Sequence, residues 1–175
     1  MKYFLPLLLA AAVLAPAAFA QSGGQGKSPA QFCKNELATL GAANFRSMYA
    51  PGGSGANAMG KCVSKHARAA AANRTNAAKA CAAERDMPEA DFRASHDGKS
   101  FGEFYGRNDN DRNAYGKCVS SKTRTANAKQ EAATMKAARA CKAERAQDRT
   151  AFTARYGGKA ASAFGRCVSS KSKRQ

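Results

Sequence analysis

Asn113-Ala114-Tyr115-Gly116-Lys117-Cys118-Val119-Ser120 is the stretch that decides the fold, because its core occurs three times in the chain. The other copies read Met59-Gly60-Lys61-Cys62-Val63-Ser64 and Phe164-Gly165-Arg166-Cys167-Val168-Ser169. An earlier cysteine belongs to each, in Cys33-Lys34-Asn35-Glu36, Cys81-Ala82-Ala83-Glu84-Arg85 and Cys141-Lys142-Ala143-Glu144-Arg145. Between early and late cysteine lies an aromatic pair at helical spacing: Phe45/Tyr49, Phe101/Tyr105 and Phe152/Tyr156. Recurrence at an irregular period marks an array of similar units. Six cysteines allow fifteen pairings, but each unit holds one early and one late cysteine. The economical pairing is within units: Cys33–Cys62, Cys81–Cys118 and Cys141–Cys167. The spacing predicts an all-α chain of three small helical repeats, each clamped by one disulfide, over residues 28–67, 77–123 and 137–171, with a basic tail at 172–175.

The start of the chain reads as an export signal. Lys2 is followed by an apolar run from residue 4 to 14, then Pro16 and the small-residue pattern Ala18-Phe19-Ala20 before Gln21. That run is shorter than the ~20 apolar residues that span a bilayer, and no second one follows. Residues 1–20 are therefore expected to be a cleaved signal peptide and residues 21–27 a Gly-rich flexible leader. The expected destination is periplasmic or extracellular, where oxidising conditions favour disulfides.

Composition explains why bridges are needed. Without the signal the chain keeps 28 basic residues against 12 acids, a net charge of +16. It then has no Ile or Trp, two Leu (Leu37, Leu40), three Val (Val63, Val119, Val168) and seven Phe. Those large residues fall well below the roughly one-fifth that separates folded from disordered charged chains. Much of the remaining apolar content is alanine, which favours helix but buries little area. A cross-link closing a loop of ~30 residues contributes about 3.5 kcal/mol in the chain-entropy model. Three such links give on the order of 10 kcal/mol, comparable to the ~5–15 kcal/mol net stability of a domain.

Punctuation sets the elements. Ser28-Pro29 reads as a cap and first-turn proline for a helix that Gly41 ends. A second helix carries Phe45 and Tyr49 and stops before Pro51-Gly52. Asn57, Asn113 and Ser162 are expected N-caps of the helices bearing the late cysteines. Pro is absent from residues 58–86 and 114–146, so the last helix of one unit is expected to run into the first of the next. Asn73-Arg74-Thr75-Asn76 is a credible break in the first of these. The middle unit is longer near residues 92–100: Phe92 matches Phe152 counting forward from Cys81, whereas Phe101 matches Phe45 counting back from Cys118. Residues 86–111 hold seven acids against three bases, an acidic island in a basic chain.

The unit C-x2-E-R … F-x3-Y-G … N-A-[FY]-G-K-C-V-S resembles a short repeat of uncharacterised exported bacterial proteins. In the second copy the likeness rests on Cys81, Glu84, Arg85, Phe101, Tyr105, Gly106 and residues 113–120; in the third, on Cys141, Glu144, Arg145, Phe152, Tyr156, Gly157 and residues 164–169. The first copy departs, with Leu37, Ala50 and Met59 in place of Arg, Gly and the aromatic. The resemblance implies export and repetition; it brings no activity.

Catalytic and metal chemistry find little footing. With two histidines, His66 and His96, and no C-x2-C or H-x3-H spacing, no closed zinc ligand set is expected, and both histidines read as surface residues. Asn108-Asp109-Asn110-Asp111 begins like a calcium loop but has Ala114 at the sixth position and Ser120 at the twelfth, so it reads as a polar turn. Ser170-Lys171-Ser172-Lys173 matches S-x-x-K without its companion motifs. Glu103, Asp109 and Asp111 are close in sequence, which keeps a small secreted hydrolase as a third reading. No catalytic residue, metal or cofactor is called for. Glu36, Glu84 and Glu144 are expected to pair with Lys61, Lys117 and Arg166 beside each bridge.

The remaining signal is basic. No acid occurs between residues 37 and 83 or from 149 to 175. On a continuous helix Lys61, Lys65, Arg68 and Lys79 fall within about 60° of arc at 100° per residue. With Arg166, Lys171, Lys173 and Arg174 they are the expected contacts to an anionic polymer or surface: nucleic acid, cell-wall polymer or lipid head groups. The function expected is that of an exported, non-catalytic binding or scaffold protein. The alternative is a structural or protein-binding envelope component, its protein partner undefined, whose charge serves solubility.

Overall fold

The structure, a computed structural model, describes residues 28–52, 54–157 and 159–174; the expected signal peptide and leader lie outside them. Among the described residues there are eight helices and no strand. They are α1 (Pro29–Leu40), α2 (Ala42–Tyr49), α3 (Ala58–Arg85), α4 (Glu89–Ser95), α5 (Phe101–Tyr105), α6 (Ala114–Gln147), α7 (Arg149–Tyr156) and α8 (Ala160–Ser172). No described helix is long and apolar enough to cross a membrane.

Two helices carry the architecture. α3, with 28 residues, bears both Cys62 and Cys81, and α6, with 34, bears both Cys118 and Cys141. The disulfides are Cys33–Cys62, Cys81–Cys118 and Cys141–Cys167, each with a Cα–Cα distance of 6.0 Å. They staple α1 to α3, α3 to α6 and α6 to α8 in series. All six cysteines are fully buried. α3 and α6 lie along each other, and α8 packs on both α6 and α2.

Local chemistry accounts for most of the ends. The Ser28 hydroxyl accepts from the Gln31 amide and the Gln31 side chain returns to the Ser28 amide, closing a capping box. α1 ends at Gly41, whose φ of 79° is left-handed and suits glycine. Asn57 and Asn113 stand at the N-caps of α3 and α6 but make no side-chain cap bond. Ser162 is not a cap: α8 begins at Ala160, and the Ser162 hydroxyl donates to the Lys159 carbonyl. The helix there starts one turn earlier than the punctuation suggests. Ser100 caps α5 with a capping box to Glu103, and Asp148 caps α7 by accepting from the Ala151 amide.

α3 does not break at residues 73–76. Two of the side chains there are bonded in ways that leave the helix intact. Asn73 donates its amide to Asn127 and Gln130 of α6, and the Thr75 hydroxyl donates to the Ala71 carbonyl one turn back.

The cores are small and one of them is shared. Phe45, Tyr49, Ala50 and Ala58 surround Cys33–Cys62, with Met59 and Val63 at their margin. Val119 and Ala77 surround Cys81–Cys118, with Phe101, Tyr105 and Tyr115 against them. The third core gathers Phe152, Phe164, Val168, Ala137, Ala138 and Ala163 around Cys141–Cys167, and also takes in Leu40, with Met48 against it. The first and last units therefore bury side chains together. Each aromatic pair has one geometry: centroids 4.9, 5.0 and 4.9 Å apart at 51°, 52° and 51°. Phe152 thus corresponds to Phe101, and Phe92 belongs to the longer middle unit, stacked on His96 at 3.8 Å.

Candidate functional site

Helical spacing puts a carboxylate and a histidine or lysine beside each bridge. Residues three and four apart share a helix face. Glu36, Glu84 and Glu144 follow each early cysteine by three positions; His66, Lys122 and Lys171 follow each late one by four. Closing the bridge brings the two faces together, and the tyrosine of the aromatic pair fills the space between. Tyr105 donates to Glu84 at 2.7 Å and Lys122 pairs with the same carboxylate at 2.8 Å. Tyr156 donates to Glu144 at 3.1 Å, and Lys171 pairs with it at 3.1 Å, joined by Arg155 at 2.6 Å. Tyr49 donates to Glu36 at 2.6 Å and lies 3.0 Å from Nε2 of His66.

The expected pairs with Lys61, Lys117 and Arg166 do not form. Those residues immediately precede the late cysteine, so they point off the bridged face; Lys61 and Arg166 are exposed and Lys117 pairs with Asp111 at 2.6 Å. The expectation that His66 is a surface residue is also overturned. It lies on the cysteine face, is 9% exposed, and its ring sits 4.4 Å from that of Phe32. His96 is half-buried between Phe92 and Phe104.

Replacing lysine by histidine changes the electrostatics of the first unit. Burial favours the proton on Glu84 and Glu144, but the hydrogen bonds from lysine and tyrosine outweigh it and hold both below the usual carboxylate range. At Glu36 burial wins: the group is completely covered, and its pKa is raised despite the bond from Tyr49 and the charge of Lys65. Burial, helped by Lys65, lowers His66 to about 4, so its imidazole is neutral. Oε1 of Glu36 has no hydrogen-bond partner. A neutral histidine cannot supply the charge that the lysines supply elsewhere.

Sequence spacing gave no metal ligand set, yet Cys33, Cys62 and His66 place their ligand atoms within 4.8 Å of one another. One ligand comes from α1 and two from α3, which a search for spacing along one chain segment misses. Here both sulfurs are committed to the disulfide.

The predicted basic contacts divide in the structure. Lys61, Lys65, Arg68 and Lys79 are all exposed on the unbroken α3, spread over about 27 Å at 1.5 Å per residue. No described carboxylate lies within ion-pair distance of them. Lys65 also lies over the Tyr49 ring, 5.5 Å from its centroid. Arg166, Lys173 and Arg174 are exposed on and after α8. Lys171 is not available in the same way, because Glu144 holds it. Lys65 and Lys173 both line a groove of about 290 Å³ between α3, α6 and α8, whose walls include Gln130, Thr134, Ser169 and Ser172 and, among the described residues, no carboxylate.

The acidic island closes largely on itself. Arg93 binds Glu89, Glu103 and Asp109. Asp111 accepts from the amides of Arg107 and Asn113 and from Lys117, so the calcium-like run is a turn tied by its own side chain. The three carboxylates considered for hydrolysis are thus each engaged by a cation. Beside them lies a cleft of about 420 Å³ lined by Glu84, Met87, Phe92, Phe101 and Asp109, with Met87 and Phe104 exposed nearby.

No family model, curated protein or solved structure matches the chain.

Proposed function

We propose that this is a non-catalytic, exported binding or scaffold protein that holds anionic polymers or surfaces through the basic face of α3 and the groove it forms with α8. The observation that carries this reading is the line of exposed cations on α3, none within ion-pair distance of a described carboxylate, continued by Lys65 and Lys173 into a groove with no acid among its described lining residues. Such a surface neutralises phosphates or carboxylates one by one and binds in proportion to the counterions released. Among the described residues no base-reading element accompanies it, so attachment depends on charge density and spacing and not on sequence. The test is a salt titration on immobilised duplex DNA and on an anionic wall polymer. Retention at physiological ionic strength that is lost with added salt supports the reading; absence of retention at that ionic strength removes it.

A second reading, a protein-binding envelope component, is favoured by the cleft beside Met87 and Phe104, where an acidic rim surrounds apolar side chains on an otherwise basic molecule.

A further inference from the structure

The three bridges differ in what surrounds them, and the first is the odd one. In the second and third units the carboxylate beside the bridge is neutralised by Lys122 or Lys171. In the first, Glu36 is fully covered and has one unpartnered oxygen, and the Tyr49 hydroxyl that bonds its other oxygen contacts a histidine where the other units have lysine. Oε2 of Glu36 lies 3.5 Å from Sγ of Cys62. The ligand atoms of Cys33, Cys62 and His66 lie within 4.8 Å of one another, and the buried Glu36 carboxylate, one turn along α1 from Cys33, borders them at Cys62. Thiolate, imidazole and carboxylate together form a ligand set suited to zinc.

We propose that in the reduced chain Cys33, Cys62 and His66 bind one zinc-class divalent cation with the bordering Glu36 as fourth ligand, a closed state of the first unit that an external disulfide oxidant converts to the Cys33–Cys62 bridge by thiol–disulfide exchange, taking two electrons from the thiolates and releasing the ion. The metal supplies the positive charge that lysine supplies in the other units. Binding needs no redox step: the two thiols give up two protons to solvent as their thiolates take the ion. Four-coordinate bonds of about 2.3 Å to sulfur set the two sulfurs about 3.7 Å apart, wider than the 2.01 Å of the bridge. The unpartnered Oε1 of Glu36 is the oxygen free to ligate, because Tyr49 holds Oε2. Tyr49 is thus a positioning residue that orients the carboxylate from behind. The other two units cannot form this site, since an ammonium stands where the imidazole must be.

The test uses the full chain, reduced in denaturant and refolded without oxygen in the presence of Co²⁺. The expected result is a thiolate-to-cobalt charge-transfer band with the visible bands of a tetrahedral site, saturating at one ion per chain and displaced by Zn²⁺. Replacing the other four cysteines, Cys81, Cys118, Cys141 and Cys167, by serine should leave the band in place. H66K and H66Q should each abolish it, and E36Q should weaken Co²⁺ affinity by about tenfold or more. H66K should still oxidise to the three native bridges, which separates loss of the ligand from loss of the fold. No band, a band that survives replacement of Cys33 and Cys62 by serine, or a band of equal affinity in H66K and H66Q would overturn the proposal.

Discussion

Tyr49 donates its hydroxyl proton to Glu36 at 2.6 Å, inside the protein and beside the Cys33–Cys62 bridge. The same bond joins Tyr105 to Glu84 and Tyr156 to Glu144 at the edges of their cores. What differs is the surrounding charge and the access of water. The energetic weight of an otherwise identical contact should therefore differ among units.

Tyr49→Phe should cost about 2–3 kcal/mol, because it leaves a buried carboxylate with neither oxygen paired. Tyr156→Phe should cost under about 1 kcal/mol, since Glu144 keeps Lys171 and Arg155. Urea unfolding of the two oxidised variants checks the order; equal losses would mean that Glu36 is not confined as described.

Leu40→Ala should destabilise by about 2–5 kcal/mol, the usual range for a buried leucine. Leu40 belongs to the first unit by sequence but lies in the core around Cys141–Cys167. Hydrogen exchange should accordingly speed up in α7 and α8 as well as in α1. An effect confined to α1 would contradict the shared core.

Acid should weaken the protein through Glu84 and Glu144. Both are held below the ordinary glutamate value of 4.5 in the fold, so their contribution is complete above that pH and is lost as the pH falls through the lower folded values. Glu84→Gln with Glu144→Gln should flatten the decline in urea midpoint on acidification below about pH 4.5. Both groups are partly solvated, so the effect belongs with the modest range of surface pairs.

Reversing the charges of Lys65 and Lys173 should lower the salt needed to elute the protein from immobilised DNA more than reversing Lys61 and Arg174. The first pair faces one groove; the second stands apart on the open surface. Reversal of Lys171 is a different experiment, because it sets a carboxylate against Glu144 and should reduce stability as well as binding.

Much of this fold can be read from the chain. The position of one early and one late cysteine per copy indicates the pairing, and the absence of proline from residues 58–86 and 114–146 indicates the long helices. The cation partners of Glu84 and Glu144 were legible too, but by helix face and not by adjacency. Four residues beyond the late cysteine is one turn along the buried side, whereas one residue before it points outward. His66, Lys122 and Lys171 could have been found from that register alone. The sharing of Leu40 could not, because units that are alike in sequence do not encode which neighbour each one leans on. The groove between Lys65 and Lys173 has the same origin: it exists only once α3, α6 and α8 are packed.

The central claim is that covalent clamps stand in for an interior poor in large side chains. The direct measurement is the far-ultraviolet helix signal and its cooperative thermal transition before and after reduction, in native buffer with a metal chelator. Loss of the cooperative transition and of most helix is the expected result when the three bridges open. A reduced, metal-free chain that keeps both would contradict it.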